Sequence, residues 1–149
     1  MYSFTRVNAN NCHDLNRIRN SVREFLHDSR IFNLDETVSW ISENRSESYY
    51  YVVFDSQIIG YLRLSKIKTY FDQSIMVGLD LDVNWQGNGH GKRIWEVVIR
   101  NLGKDLNYIE LKVLQGNFRA ILLYLSLGFM ELESGRSDHD IHFYFELHA

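Results

Sequence analysis

Three groups of residues stand at spacings that suit group-transfer chemistry. The run Gln86-Gly87-Asn88-Gly89-His90-Gly91-Lys92 lies between a predicted strand and a predicted helix. Glycine at alternate positions leaves the backbone open to close approach. The helix that follows begins with unpaired N–H groups and a positive dipole end. Together these make an anion cradle, best suited to a pyrophosphate, with Lys92 as a nearby cation; a flexible turn with a glycine cap is the alternative. Asp80 and Asp82 are two apart on a predicted strand and share a face, with Leu79, Leu81 and Val83 on the other. Two close carboxylates raise one pKa, which suits a base acting directly or through water. The same pair could instead attract a cationic amine, or line a solvated edge. Asn117 and Tyr124 are seven residues apart, about two helical turns, with small Ala120 leaving a groove between them. Phe118, Ile121, Leu122 and Leu125 form the neighbouring apolar stripe, expected in the core.

Other chemistries fit less well. Asp138, His139, Asp140 and His142 are a second candidate cluster for a base, or ordinary surface residues. Only His139 and His142 are closely paired among six histidines, so no metal site is expected. Cys12 is the only cysteine, which excludes an internal disulfide and a thiolate zinc cluster, and burial is its expected fate. Lys92 is followed by Arg93, so the glycines are not a P-loop. Their G-x-G-x-G spacing, after a mostly antiparallel run, is not a dinucleotide fingerprint.

The elements that must position these groups follow from periodicity. Tyr2–Asn8 alternates as a strand, and Asn10 or Asn11 caps a helix carrying Leu15, Ile18, Val22 and Phe25 or Leu26. Asp35 caps a shorter helix with Val38 and Ile41 inward. Tyr49–Phe54 and Ile58–Ile67 form a hairpin around Asp55-Ser56-Gln57, and a strand follows at Ser74–Val83. A helix near Gly89–Leu102, a strand at Tyr108–Leu114 and a helix from Asn117 to Leu127, ended by Gly128, come next. Phe129–Glu133 and Ile141–Leu147 close the chain as strands.

The chain has 149 residues, which predicts one domain over 1–149 with a core large enough to need no staple. Sixteen Lys and Arg against nineteen Asp and Glu give a net charge of −3, so no basic surplus points to nucleic acid or an anionic membrane. No apolar run reaches the ~18 residues of a membrane span, and no signal-peptide core is present. The expectation is a soluble cytoplasmic protein.

Gln86-x-x-Gly89-x-Gly91 resembles the Q/R-x-x-G-x-G/A signature of the GNAT superfamily of acyl-CoA N-acyltransferases. Leu111-Lys112-Val113, then Asn117, Arg119-Ala120-Ile121, Leu123-Tyr124 and Gly128-Phe129, is similar to that family's downstream motif, N-x-x-A-x-x-L-Y-x-x-x-G-F after a strand. The resemblance is close from Ser74 to Glu133. It implies an α/β (α+β) GNAT fold: a central mixed, mostly antiparallel sheet of about seven strands flanked by four helices. The strands Ser74–Val83 and Tyr108–Leu114 would splay to admit pantetheine. Acetyl-CoA would be the co-substrate and the protein an N-acetyltransferase. Backbone near Leu81 and Val83 would hold pantetheine and the acetyl carbonyl, the turn from Gln86 to Lys92 the pyrophosphate, and Asn117 the pantetheine arm. Tyr124 would be the general acid at the sulfur. Asp80 or Asp82 is the candidate base, although some members of the family have none.

Arg19-Asn20-Ser21-Val22-Arg23, then Leu34-Asp35-Glu36 and Trp40, resembles the subset that includes amino-sugar-nucleotide and ribosomal-protein N-terminal acetyltransferases. Arg19 and Arg23 would meet phosphates or carboxylates, or else form an ordinary charged helix face. Tyr49, Tyr50 and Tyr51 add aromatic surface for a sugar site, half of it expected in the core. The acceptor implied is a small amine, a nucleotide-linked amino sugar before a protein N-terminus; a CoA-binding sensor is the non-enzyme alternative. A monomer or homodimer is expected.

Overall fold

The computed structural model describes residues 1–133 and 135–148. The chain runs β1 (Tyr2–Arg6), α1 (His13–Ser21), α2 (Leu34–Glu43), β2 (Glu47–Phe54), β3 (Gln57–Ser65), β4 (Ser74–Leu81), α3 (His90–Asn101), β5 (Tyr108–Leu114), α4 (Phe118–Leu127), β6 (Met130–Glu131) and β7 (Asp140–Glu146). The seven strands form one sheet in the order β1-β2-β3-β4-β5-β7-β6. Every pair is antiparallel except β4–β5. The mixed, mostly antiparallel sheet with four α-helices is as the sequence implies.

Alternation along the strands divides the sheet into two unlike faces. Val52, Leu62, Ile75, Val77, Ile109, Leu111, Val113, Ile141 and Phe143 point one way and pack with Ile94, Trp95 and Val98 of α3 and Tyr124 of α4. The other face is polar in its middle. Tyr49, Tyr51 and Tyr61 meet Cys12, Leu15 and Ile18 there, under α1 and α2. Register places Arg63, Gly78, Asp80, Glu110 and Lys112 on this same face.

The parallel pairing of β4 with β5 is short. It covers Ser74–Tyr108, Ile75–Ile109 and Met76–Glu110 and then ends. Beyond that point β4 stays on β3 as far as Leu81, and β5 stays on β7 as far as Leu114. The sheet therefore forks. Glu110, 0 % exposed, sits where the fork begins. Its carboxylate accepts from the N–H groups of Tyr70 (2.8 Å) and Phe71 (3.1 Å), from the Ser74 hydroxyl, and pairs with His142 Nε2 at 2.7 Å. Burial alone would push its pKa up, but these donors outweigh it and hold the carboxyl below its ordinary value. The group ties the β3–β4 loop, β5 and β7 together at the crotch of the fork.

Several local expectations change. α1 ends at Ser21, and a single tight turn at Arg23–Phe25 carries the chain on. Asn33, not Asp35, caps α2, in a reciprocal box with Glu36. β4 stops at Leu81, and Val83–Trp85 is a short turn capped by the Asp82 side chain. The β2–β3 connection holds both Asp55 and Ser56 at positive φ, the geometry of a two-residue hairpin. The apolar stripe of α4 is core only at Ile121: Phe118 is 72 % and Leu122 68 % exposed and Leu125 is exposed too, while Ala120, Leu123, Tyr124 and Leu127 join Ile121 on the inward side.

Candidate active site

A cavity of about 520 Å³ passes through the fork. Val77, Gly78, Leu79 and Asp80 line it from β4, and Lys112, Val113 and Leu114 from β5. Asn117, Ala120 and Tyr124 of α4 reach it on the apolar side of the sheet, and Tyr49, Tyr61, Arg63, Trp40 and Arg19 on the polar side. The fork is thus a passage between two faces that a continuous sheet would keep apart.

Asp80 lies at this passage, opposite Tyr61 on β3. Burial pushes its pKa up; the charges of Arg63 and Arg19 and the Tyr61 hydroxyl offset part of that rise. Tyr124 is 8 % exposed, and its ring packs edge-on against Trp95. Burial first, then the Asp80 charge, raises the phenol pKa, so the hydroxyl keeps its proton. That hydroxyl makes no hydrogen bond among the described residues. It is also not a sealed polar atom; among the described residues only the Tyr49 hydroxyl is sealed without a partner, so the Tyr124 hydroxyl opens onto the cavity.

Asp82 is elsewhere. The strand ends before it, so it does not share a face with Asp80. It is buried, its Oδ2 lies 2.6 Å from Arg17 Nη1, and its Oδ1 accepts from the N–H of Asn84. The Asp82 N–H donates to the Ile59 carbonyl at 2.8 Å. Successive N–H groups of a strand point to opposite edges, so the Leu81 N–H points the other way, into the fork. Val83 begins the short turn, with its side chain in solvent.

The glycine run has the geometry of an anion cradle. Gly87 and Gly89 adopt φ of 85° and 82°, conformations that side chains resist, and Gly89 caps α3. No hydrogen bond among the described residues uses the N–H of Gly87, Asn88, Gly89, His90, Gly91 or Lys92. Gln86 Nε2 donates to the Leu81 carbonyl at 3.1 Å and braces the turn against the strand end. Two cations flank the turn besides exposed Lys92. The Arg119 guanidinium lies 3.4 Å from where a Gly87 Cβ would stand, and that of Arg93 lies 3.7 Å from the same point on Gly89. The His90 ring does not face the cradle; its Nδ1 meets the Tyr2 hydroxyl at 2.7 Å among Phe54 and Trp85. The Asn117 side-chain oxygen Oδ1 accepts from the Ala120 N–H at 3.4 Å as the cap of α4, and Asn117 lines the cavity.

The Asp138–His142 cluster is divided between two tasks. His142 belongs to the Glu110 group, and Asp140 pairs with His27 of the loop before α2. Arg19 is buried and donates to the carbonyls of Asp28 and Arg30, while Arg23 donates to that of Ser29. Tyr49 and Tyr51 are core and Tyr50 only half-buried, as alternation requires. Cys12 is buried, and burial raises its thiol pKa.

Arg63, Lys112, Arg93, Arg119 and Glu110 are features that spacing alone did not single out. A signal existed for two of them. Lys112 falls inside the second motif, between Leu111 and Val113. Arg119 falls inside it too.

The sequence pattern of the acetyltransferase (GNAT) family matches residues 14–129, and the chain belongs to that family. No curated protein sequence matches it. An acetyltransferase from Thermus thermophilus superposes with a TM-score of 0.82 at 16 % identity, over 99 % of this chain and 97 % of that one. A spermidine N-acetyltransferase from Vibrio cholerae, in complex with CoA and spermine, gives 0.79 at 18 %, over 98 % and 95 %. The Salmonella typhimurium protein yncA, solved with its cofactor acetyl-CoA, gives 0.73 at 15 %, over 98 % and 94 %.

Proposed function

We infer that the chain, with residues 1–149 as one domain, transfers the acetyl group of acetyl-CoA to a primary amine on a small acceptor. The observation that carries this reading is the fork, with a carboxyl of raised pKa on one face and an unpartnered phenol on the other, both lining one cavity. The unpaired N–H groups from Gly87 to Lys92, with Arg93 and Arg119 beside them, fit a pyrophosphate, and Asn117 fits the pantetheine arm.

Bound acetyl-CoA supplies a thioester whose C–S bond breaks as the amine nitrogen forms the new C–N bond. The Asp80 carboxylate takes the proton that the amine loses, and its raised pKa suits that role near neutral pH. The Leu81 N–H stabilises the charge that develops on the carbonyl oxygen. The Tyr124 hydroxyl donates to the departing sulfur. Asp82 has no part in this reading, because Arg17 and the turn already occupy it.

The small amine has support from the Vibrio cholerae neighbour, solved with CoA and spermine. A nucleotide-linked amino sugar loses its support, since the guanidinium groups of Arg19 and Arg23 are spent on backbone carbonyls of the loop before α2. The test is release of free CoA thiol from acetyl-CoA in the presence of an amine panel, with the product identified by mass. Stabilisation by acetyl-CoA with no thiol release on any amine would favour a CoA-binding sensor.

A further inference from the structure

We propose that the acceptor carries an anionic group, carboxylate or phosphate, near its amine, and that this group binds over Gly78 between Arg63 and Lys112. The proposal rests on the acetyl-transfer reading and narrows its substrate class.

The argument starts from register on the polar face. Tyr49 stands opposite Arg63, and Arg63 opposite Gly78. The parallel register of Met76 with Glu110, continued by two residues, sets Lys112 across the open fork from Gly78. Gly78 is therefore a position without a side chain between two cations. The space above it is used: a Cβ on Gly78 would lie 2.9 Å from Arg63 Nη2, closer than real carbons approach. Glycine is what allows the guanidinium to lie over the strand toward the fork.

Both cations have unspent valence. Arg63 Nε lies 3.4 Å from Glu47 Oε2, which accounts for one side of the fork-shaped group. Its terminal nitrogens make no hydrogen bond among the described residues and are not sealed from the cavity; 40 % of the side chain is exposed. Lys112 is exposed, lines the same cavity, and has no ion pair or hydrogen bond among the described residues. A guanidinium paired with an ammonium across a hollow is a ready site for a carboxylate or phosphate.

The acids of the cavity are arranged differently. Asp28 lies 2.6 Å from Arg30, and Glu36 is held in the α2 cap. That leaves Asp80 for a single ammonium. A polyamine seated on Asp80 would set its further charges against Arg63 and Lys112, and like charges in a confined site discriminate strongly. Gly78 and Asp80 are two residues apart on β4, about 7 Å. With hydrogen bonds of about 3 Å at each end, a small amino acid or amino phosphate spans that distance.

The test pairs acceptors that differ only in the anion. Phenylalanine is compared with phenethylamine and O-phosphoethanolamine with ethanolamine, with spermidine as the polycation, in the unmodified chain and in Lys112→Gln. One anionic acceptor is expected to exceed its partner at least tenfold in kcat/KM, and the pair that does so tells carboxylate from phosphate. That ratio should fall about tenfold or more in Lys112→Gln and in Arg63→Gln, with KM for acetyl-CoA unmoved. Lys112 is exposed, so its variant keeps the fold even if loss of Arg63 from beside Glu47 and Asp80 does not. Ratios at or below one, a preference for spermidine, or a ratio unchanged in Lys112→Gln would overturn the proposal and leave acetyl transfer standing. No thiol release with any of the five amines, while acetyl-CoA still binds, would instead overturn the acetyl-transfer reading, and this proposal with it.

Discussion

Asp80 and Tyr124 reach one cavity from opposite faces of the sheet. Asp80 belongs to the polar face under α1 and α2, and Tyr124 to the apolar face under α3 and α4. A continuous sheet would separate them by its own thickness. They meet because β4 and β5 part after Met76 and Glu110. The negative charge of Asp80 adds to the rise in the Tyr124 pKa, the electrostatic sign of that proximity.

Asp80→Asn separates catalysis from stability. As the base, Asp80 should account for about 10²–10⁴-fold in rate at neutral pH. Its folded pKa is raised, mainly by burial, so ionisation works against the fold. Stability from this group is full below the ordinary aspartate value and falls as pH rises through the raised one. Asn carries no such charge, so the variant should melt higher than the unmodified chain at pH 7, and the difference should close near pH 3. Calorimetry at the two pH values checks this.

Tyr124→Phe keeps the ring packing on Trp95 and removes only a hydroxyl that bonds to nothing among the described residues. The melting temperature should therefore hold. The thiol leaving group has an ordinary pKa near 8.5, so a phenol donor helps without being indispensable. The expected loss is about 10–10³-fold in kcat with little change in KM for acetyl-CoA. A raised KM with kcat intact would make Tyr124 a binding residue.

The glycine cradle is tested by two variants. Arg119→Ala removes an exposed cation beside Gly87 and should weaken acetyl-CoA binding about tenfold without changing the apo melting temperature. Gly89→Glu sets a negative charge in the cradle at a φ of 82°. It should abolish thermal stabilisation by acetyl-CoA and cost the apo protein roughly 1–2 kcal/mol from backbone strain. Unchanged stabilisation would remove the pyrophosphate from this turn.

The two faces of the sheet were legible in alternation: Ile109, Leu111 and Val113 against Glu110 and Lys112 read directly as an apolar and a polar side. The glycine turn was legible too, because glycine at alternate positions leaves the backbone open, and two of the three, Gly87 and Gly89, stand at φ of 85° and 82°. What escaped depended on partners distant in the chain. Spacing alone pairs Asp82 with Asp80, because the tie of Asp82 to Arg17 spans 65 residues. For Arg19 the sequence leaves a substrate anion and a charged helix face both open, because its carbonyl partners Asp28 and Arg30 lie in a loop without periodicity. α4 is apolar on two sides, so spacing could not choose its inward face. The hollow at Gly78 is invisible until register sets Arg63 and Lys112 on either side of it.

Glu110→Gln should loosen the crotch of the fork. Loss of the carboxylate weakens bonds to Tyr70, Phe71, Ser74 and His142, for about 2–4 kcal/mol at neutral pH. The folded pKa is lowered, so the stability is present above the ordinary glutamate value and is lost as pH falls through it toward the depressed one. The two proteins should therefore converge in stability in acid, as a denaturant titration at pH 7 and below pH 4 would show. Faster amide exchange at Tyr70 and Phe71 should accompany the loss.

The pH dependence of kcat/KM, in the unmodified chain and in Asp80→Asn with the same amine, tests most directly the claim that the fork presents Asp80 to the acceptor nitrogen. The unmodified enzyme should show an acid limb from a carboxyl of raised pKa. In the variant that limb should vanish, leaving a rate that climbs only as the amine itself loses its proton. Superimposable profiles, with a loss below threefold at neutral pH, would contradict the assignment and mean that the amine arrives already neutral.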